Sequence, residues 1–336
     1  MKSIQEADQD GRIRINQVKG ILACLVIVRH VDGFLELIPW LMVTLSAFCS
    51  YSFFLLGFLS NKPKKFADHM RYCLTRFYRP LLLFFSISSI LFFLVYRQST
   101  ITGSLIHYFE GLLIQSADAF KNASGFSLFW FVPAYVLLTS LRALAASNKY
   151  IFRTILLLAL GFHFGIANYL STVSTVFPFS FHVVLYCYPV CLIFERFKAP
   201  LISNRYVLYA GFVAFVFSCL YIAATNSELY FSSSVFPGYD DIWGILVHDV
   251  CALSSIPAFS LLYSTFRSSF IAEIGKHSFE FYLVHQFVNY LILHILGDVR
   301  GYWSTLHIAG VIVLTMLSII LLKKAKIYRH IFSRQA

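Results

Sequence analysis

The chain has 336 residues, 58% of them hydrophobic and 13% charged, with a formal net charge of +11 and a mean hydropathy of +0.71. Too few charges remain to cover a water-facing surface, so a soluble globular domain is excluded. Nucleic-acid binding is set aside too, because the positive charge sits beside apolar runs and no basic soluble domain exists to carry it.

Ten apolar runs follow one another at about 17–36, 38–60, 81–97, 126–146, 151–170, 178–195, 206–224, 243–264, 279–297 and 303–322. Each is close to the ~20 residues that a helix needs to cross the hydrocarbon core. The expected fold is therefore all-α: a polytopic membrane protein with about ten transmembrane helices, in a single domain over 1–336 with short tails at about 1–16 and 323–336. If the N-terminus is cytoplasmic, the inside segments hold 23 of the 27 lysines and arginines, while the outside loops hold only Arg97, Lys121 and Arg300. Arg29 falls within the first span. That asymmetry places both termini in the cytoplasm.

The first 16 residues mix acids and bases and run into a span with no small-residue cleavage site, so no leader is expected to be removed. The first span then reads VKGILACLVIVRHVDGF, with Lys19 at its cytoplasmic end and Arg29, His30 and Asp32 deep in an apolar helix. Ionisable groups at such depth are costly and usually face a polar cavity or one another, which makes them functional candidates. Eleven residues at 100° each return to within about 20° of the same face, so Lys19 and His30 point the same way ~16 Å apart. The bland alternative for His30 is a hydrogen-bonded core histidine.

A basic cytoplasmic stretch follows the second span and feeds the third. Arg76 and Arg79 lie three residues apart on one helix face, with Tyr72 a turn earlier. Guanidinium forks suit the phosphate oxygens of a cofactor arriving from the cytosol, and a bare topology signal is the competing reading. The apolar piece Ser104 to Ile114, in the outside connection at about 98–125, is too short to span and is expected along the interface. The outside loop at about 225–242 carries Glu228, Asp240 and Asp241 without a Lys or Arg; either loop could cover an outward acceptor site. Seven cysteines (Cys24, Cys49, Cys73, Cys187, Cys191, Cys219, Cys251) lie almost all in apolar runs without metal-ligand spacing. They read as core residues, and no metal is expected. His248 and Asp249 are adjacent in the eighth span, so their side chains diverge and form no dyad unaided.

Four of these segments, taken in order, resemble the integral-membrane acyltransferase-3 family, which includes bacterial polysaccharide O-acetyltransferases. They are Lys19 to His30, Phe53-Phe54-Leu55-Leu56-Gly57-Phe58-Leu59, Arg76-Phe77-Tyr78-Arg79-Pro80, and Leu128-Phe129-Trp130-Phe131 at the start of the fourth span. The run Gly275 to His285, which ends in Tyr282-Leu283-Val284-His285, is similar to the family's closing motif. The resemblance covers nearly the whole chain, and ten spans is also the family's count. Two departures stand out: Lys19 replaces the usual Arg, which keeps the charge but loses the fork, and Leu56 replaces a common Ser.

The resemblance implies acyl transfer from cytoplasmic acyl-CoA, most often acetyl-CoA as co-substrate, to a hydroxyl of an envelope polysaccharide or lipid-linked sugar at the bacterial inner membrane. His30 would be the central catalytic residue. The chemistry agrees in two ways: a neutral imidazole can take the hydroxyl's proton, or its nitrogen can carry the acyl group. Asp32, Tyr282 and His285 join it as catalytic candidates, with Ser278, Tyr282 and His285 along one stripe of the ninth span. Lys19, Arg29, Arg76 and Arg79 are the candidates for holding the cofactor. Trp130, as a sugar platform or an interface anchor, and Glu280, as a charge balancing Arg29 or Arg79, are the substrate-side candidates. A packing role competes for His285. Expected partners are acyl-CoA, the sugar acceptor and membrane lipids, with a homo-oligomer allowed. The rival reading, a transporter or flippase for a sugar-containing substrate, would show paired halves with broken helices, and none is visible.

Overall fold

The computed structural model describes residues 4–31, 34, 38–60, 65–96, 101–166, 178–225, 242–297 and 303–332, and among these there is no strand. In chain order the helices are α1 (Ile4–Arg29), α2 (Pro39–Ser60), α3 (Phe66–Cys73), α4 (Arg79–Tyr96), α5 (Ile101–Ile114), α6 (Ala117–Ser124), α7 (Phe131–Ser147) and α8 (Lys149–Gly161). They continue with α9 (Phe181–Ser203), α10 (Arg205–Thr225), α11 (Ile242–Thr265), α12 (Ser269–Lys276), α13 (Ser278–Leu296), α14 (Trp303–Lys324) and α15 (Ile327–Ile331). The chain divides into two compact units, one of Met1–Leu56, Phe194–Leu229 and Trp243–Lys324, the other of Gly57–Ile193, Tyr230–Ile242 and Ala325–Ala336.

Among the described residues seven stretches are long and apolar enough to cross a bilayer: Pro39–Phe58, Phe66–Leu94, Ser127–Ser147, Pro178–Ala199, Arg205–Thr225, Trp243–Thr265 and Trp303–Lys324. The other three expected spans fall short for identifiable reasons. α1 spends its first half on charged residues, α13 carries Glu280, His285, Gln286, Asn289 and His294, and α8 stops at Gly161 and runs into a π turn, Phe162–Ile166. The rest of that run, and the acidic loop with Glu228, Asp240 and Asp241, lie outside the described residues. Exposed apolar side chains such as Tyr206, Phe217 and Leu220 cover α10, as lipid contact requires.

Residues 4–16, expected as a tail, form the first half of α1, and the helix expected to reach residue 36 ends at Arg29. The backbone then tightens, with His30 N–H bonding Ile27 O at 2.9 Å and Val31 N–H bonding Val28 O at 3.3 Å. His30 thus sits just past a helix end, not in the middle of a span. Ser104 to Ile114 lies within α5, as a helix of 14 residues.

In the first unit, α1 packs on α12, α13 and α14. Two glycines allow its closest approach. A Cβ on Gly275 would run into the Asn16 carbonyl oxygen, and one on Gly20 into the Ile271 carbonyl, so α1 and α12 meet backbone to backbone. Beside this crossing the buried Gln17 amide donates to Phe266 O at 2.6 Å and accepts from Ser268 N–H at 3.1 Å, which holds the α11–α12 turn. One turn earlier Arg14 donates to Ile202 O at 2.6 Å, and Asp10 receives the Tyr263 hydroxyl at 2.8 Å with Arg267 3.6 Å away. The α11–α12 turn passes into helix through Ser268, whose hydroxyl caps α12 by accepting from Ile271 N–H.

In the second unit, α6 is capped by Ser116 and closes at Gly125, where φ is +76°. Phe85 stacks on Tyr108 and meets Phe120 and Phe129 edge-on, packing α4 to α5 and α6. Gly57 of the FFLLGFL run is where the Tyr135 ring approaches α2; a side chain there would collide with it.

Candidate active site

The end of α1 meets α13 through two imidazoles. The His30 and His285 ring centroids lie 6.1 Å apart, and Tyr282, one turn before His285 on α13, has its ring 6.0 Å from that of His285. His285 is 1% exposed and fixed in its rotamer, since its Nδ1 donates to Phe281 O at 3.1 Å. A carbonyl accepts only, so the proton is on Nδ1 and the lone pair on Nε2, which the Gln286 amide approaches at 3.5 Å. His30 keeps part of its surface open, and Arg29 beside it lies within electrostatic reach of His30, Tyr282 and the Cys49 thiol on α2. Lys19 is half-buried on α1, eleven residues back. Arg29, His30, Tyr282 and His285, all selected from the sequence, therefore meet in space. Asp32 lies outside the described residues.

Arg76, Arg79 and Trp130 belong to the second unit. The expected shared face of Arg76 and Arg79 does not form, because Leu74–Tyr78 is a π turn whose extra residue rotates the start of α4 about the helix axis. Arg76 is half-buried within it, whereas Arg79 opens α4 in an exposed position. Tyr78, from the same turn, donates to the Gln115 side-chain oxygen at 3.2 Å. Trp130 is 6% exposed and edge-on to Phe131 at 6.0 Å, which leaves little of either face for a sugar. A buried cation that the motif reading passes over, Arg142, lies 4.8 Å from the Phe58 ring centroid.

At the basic end of the first unit, Glu280 is fully buried with its carboxylate 3.9 Å from His277 Nδ1, while Lys323 of α14 donates to His277 Nε2 at 2.7 Å. Glu273, outside the spans, sees Lys276 at 3.1 Å, His277 at 3.2 Å and Lys323 at 3.8 Å. Partial burial pushes its carboxyl up, but hydrogen bonding and attraction from Lys276, then His277 and Lys323, outweigh this and hold it below its ordinary value. A depressed carboxyl contributes stability that is fully present above the ordinary carboxylate range, about 4.3, and is lost as pH falls through the lower folded value. The thermal midpoint is expected to drop on acidification below about pH 4, and Glu273→Gln should flatten that limb. An unchanged limb in the variant would show that Glu273 contributes nothing.

Sequence reasoning also passes over Tyr51, whose hydroxyl donates to the buried Asp249 at 3.0 Å, the Ser52–Ser255 pair at 2.7 Å, and Asn289 with His307. For Asn289 a signal is present: it stands one turn after His285 on the same stripe of a span. A family model described as an acyltransferase domain, that of the acyltransferase-3 family, matches residues 12–324. No curated protein and no solved structure matches the chain.

Proposed function

The chain belongs to the acyltransferase-3 family and is a membrane acyltransferase; from that premise we propose that it moves an acetyl group from cytoplasmic acetyl-CoA to a hydroxyl of an envelope polysaccharide or lipid-linked sugar. It would do so as a multi-pass protein of a bacterial inner membrane, both termini in the cytoplasm. The observation that carries this reading is the imidazole pair, His30 and His285, with rings 6.1 Å apart and Arg29 alongside. His30, partly open, takes the acceptor hydroxyl's proton as the oxygen attacks the thioester carbonyl, and the proton passes to the departing CoA thiolate. Arg29 is near enough to stabilise the oxyanion of the tetrahedral intermediate. His285, its Nδ1 engaged by Phe281, presents the Nε2 lone pair as the neighbouring proton acceptor. Asp32 and Tyr282 are kept as assisting groups, and Glu280 as an acceptor-side group.

Arg79, exposed at the start of α4, with Arg76 in the π turn before it, fits the phosphates of the donor. Losing one charge-assisted hydrogen bond costs ~1.5–3 kcal/mol, so Arg79→Ala is expected to raise the acetyl-CoA concentration for half-maximal rate about tenfold or more while kcat holds. An unchanged requirement removes Arg79 from the donor site. The reading as a whole is tested by thiol release from acetyl-CoA on protein in lipid nanodiscs, with mass spectrometry of envelope glycans from cells with and without the protein. A difference of one acetyl unit supports it, and identical glycans with no thiol release sink it.

A further inference from the structure

Helices α13 and α14 run antiparallel, and two contacts set their register: Asn289 to His307 at 2.7 Å, and His277 to Lys323 at 2.7 Å. The Asn289 oxygen accepts, so His307 Nε2 carries the proton and Nδ1 is a lone pair. That Nδ1 has no partner among the described residues although His307 is only 4% exposed. Two turns further along the buried face of α14, the Thr315 hydroxyl is likewise buried without a partner. The register places Thr315 level with the Phe281–His285 turn of α13. A buried polar atom left unsatisfied costs ~1–3 kcal/mol, and two on one helix face beside a reactive pair call for an occupant.

Asn289 lies one turn, ~6 Å, beyond His285, whose ring is 6.1 Å from His30, and α1 packs on both α13 and α14. We infer that the seam between α13 and α14 is the track of a hydroxyl-bearing acceptor, a sugar chain, which donates a hydrogen bond to His307 Nδ1 and leads a second hydroxyl toward His30. This deepens the O-acyl transfer reading and rests on it. The lone pair decides the ligand class: a phosphate or carboxylate would bring lone pairs against a lone pair, whereas a sugar hydroxyl brings the missing proton. Thr315, able both to donate and to accept, suits the same polyol. Asn289, held by His307, orients the track and is a positioning residue.

The test titrates decyl β-glucoside, and its fully O-methylated analogue, into the protein in lipid nanodiscs. Wild type should bind the glucoside about tenfold more tightly than the analogue, the worth of a buried hydrogen bond, and His307→Phe should remove that preference without changing half-saturation by acetyl-CoA. Thr315→Val, nearly isosteric, should weaken glucoside binding selectively and carries the test if His307→Phe does not fold. Glucoside binding that ignores both substitutions, or substitutions that weaken both probes equally, overturns the track; a lone structural water at Nδ1 gives the first of these. Thiol release from acetyl-CoA is followed in the same discs. Transfer that persists while binding ignores His307 sinks the track alone, whereas His307-dependent binding without any transfer sinks the acyltransfer chemistry and leaves a hydroxyl site.

Discussion

His30→Ala is expected to abolish acyl transfer while the protein still inserts and folds, a loss of about 10²–10⁴-fold if the imidazole acts by moving a proton. The fold should survive because α1 is held at its other half, where Asp10, Arg14 and Gln17 bind Tyr263, Ile202, Phe266 and Ser268, and where Gly20 meets α12. His30 lies beyond the last helical residue, so truncating its side chain leaves the hydrogen bonding of α1 intact. Thiol release and the yield of acetylated product measure the loss, with detergent-solubilised chromatography as the check on folding. A variant that folds and transfers at the wild-type rate removes His30 from the chemistry.

The largest effect on stability is expected from Gly275→Ala. Its added methyl would occupy the place of the Asn16 carbonyl oxygen and press on Gly20 N, and a backbone carbonyl in the middle of a helix cannot swing aside as a side chain can. Overpacking of this kind costs ~1–3 kcal/mol when side chains absorb it, and here the obstacle is backbone, so the cost should reach the top of that range. The Gln17 clamp on the α11–α12 turn, which depends on the same spacing, should loosen with it. Gly11→Ala is the control: nothing lies within 4 Å of its added carbon, and the gain in helix propensity, ~1 kcal/mol, should leave the midpoint level or raised. Equal thermal midpoints for Gly275→Ala and wild type would refute the close crossing.

Much of this is legible in the residues. Apolar runs place α2, α4, α10, α11, α13 and α14 within a few residues, because lipid leaves a backbone few ways to satisfy its polar groups, whereas the short helices α3, α6 and α12 lie outside those runs. The order of the motifs picks out Arg29, His30, Tyr282 and His285, which the fold brings together. The misreading at the first span has a physical source: hydropathy counts Phe34 and Leu35 toward one long helix, although Asp32-Gly33 is a stop signal that comes closely after His30. The π turn at Leu74–Tyr78 leaves no mark on a helical wheel, so the angle between Arg76 and Arg79 is beyond reach. Trp130 reads as a membrane-edge or sugar-facing ring because burial depends on distant neighbours. The Asn289–His307 pair requires a register between two helices that no single run of sequence contains.

The early stop of α1 has an electrostatic consequence. A helix of 26 residues aims the negative end of its summed peptide dipoles, about half an elementary charge, at whatever lies beyond Arg29. That end repels the oxyanion that acyl transfer creates, so the helix by itself opposes the build-up of negative charge on the carbonyl oxygen. Arg29, in the last turn, is the cation that reverses the local field. Neutralising it should therefore slow bond formation, because the helix end would then face the oxyanion unopposed.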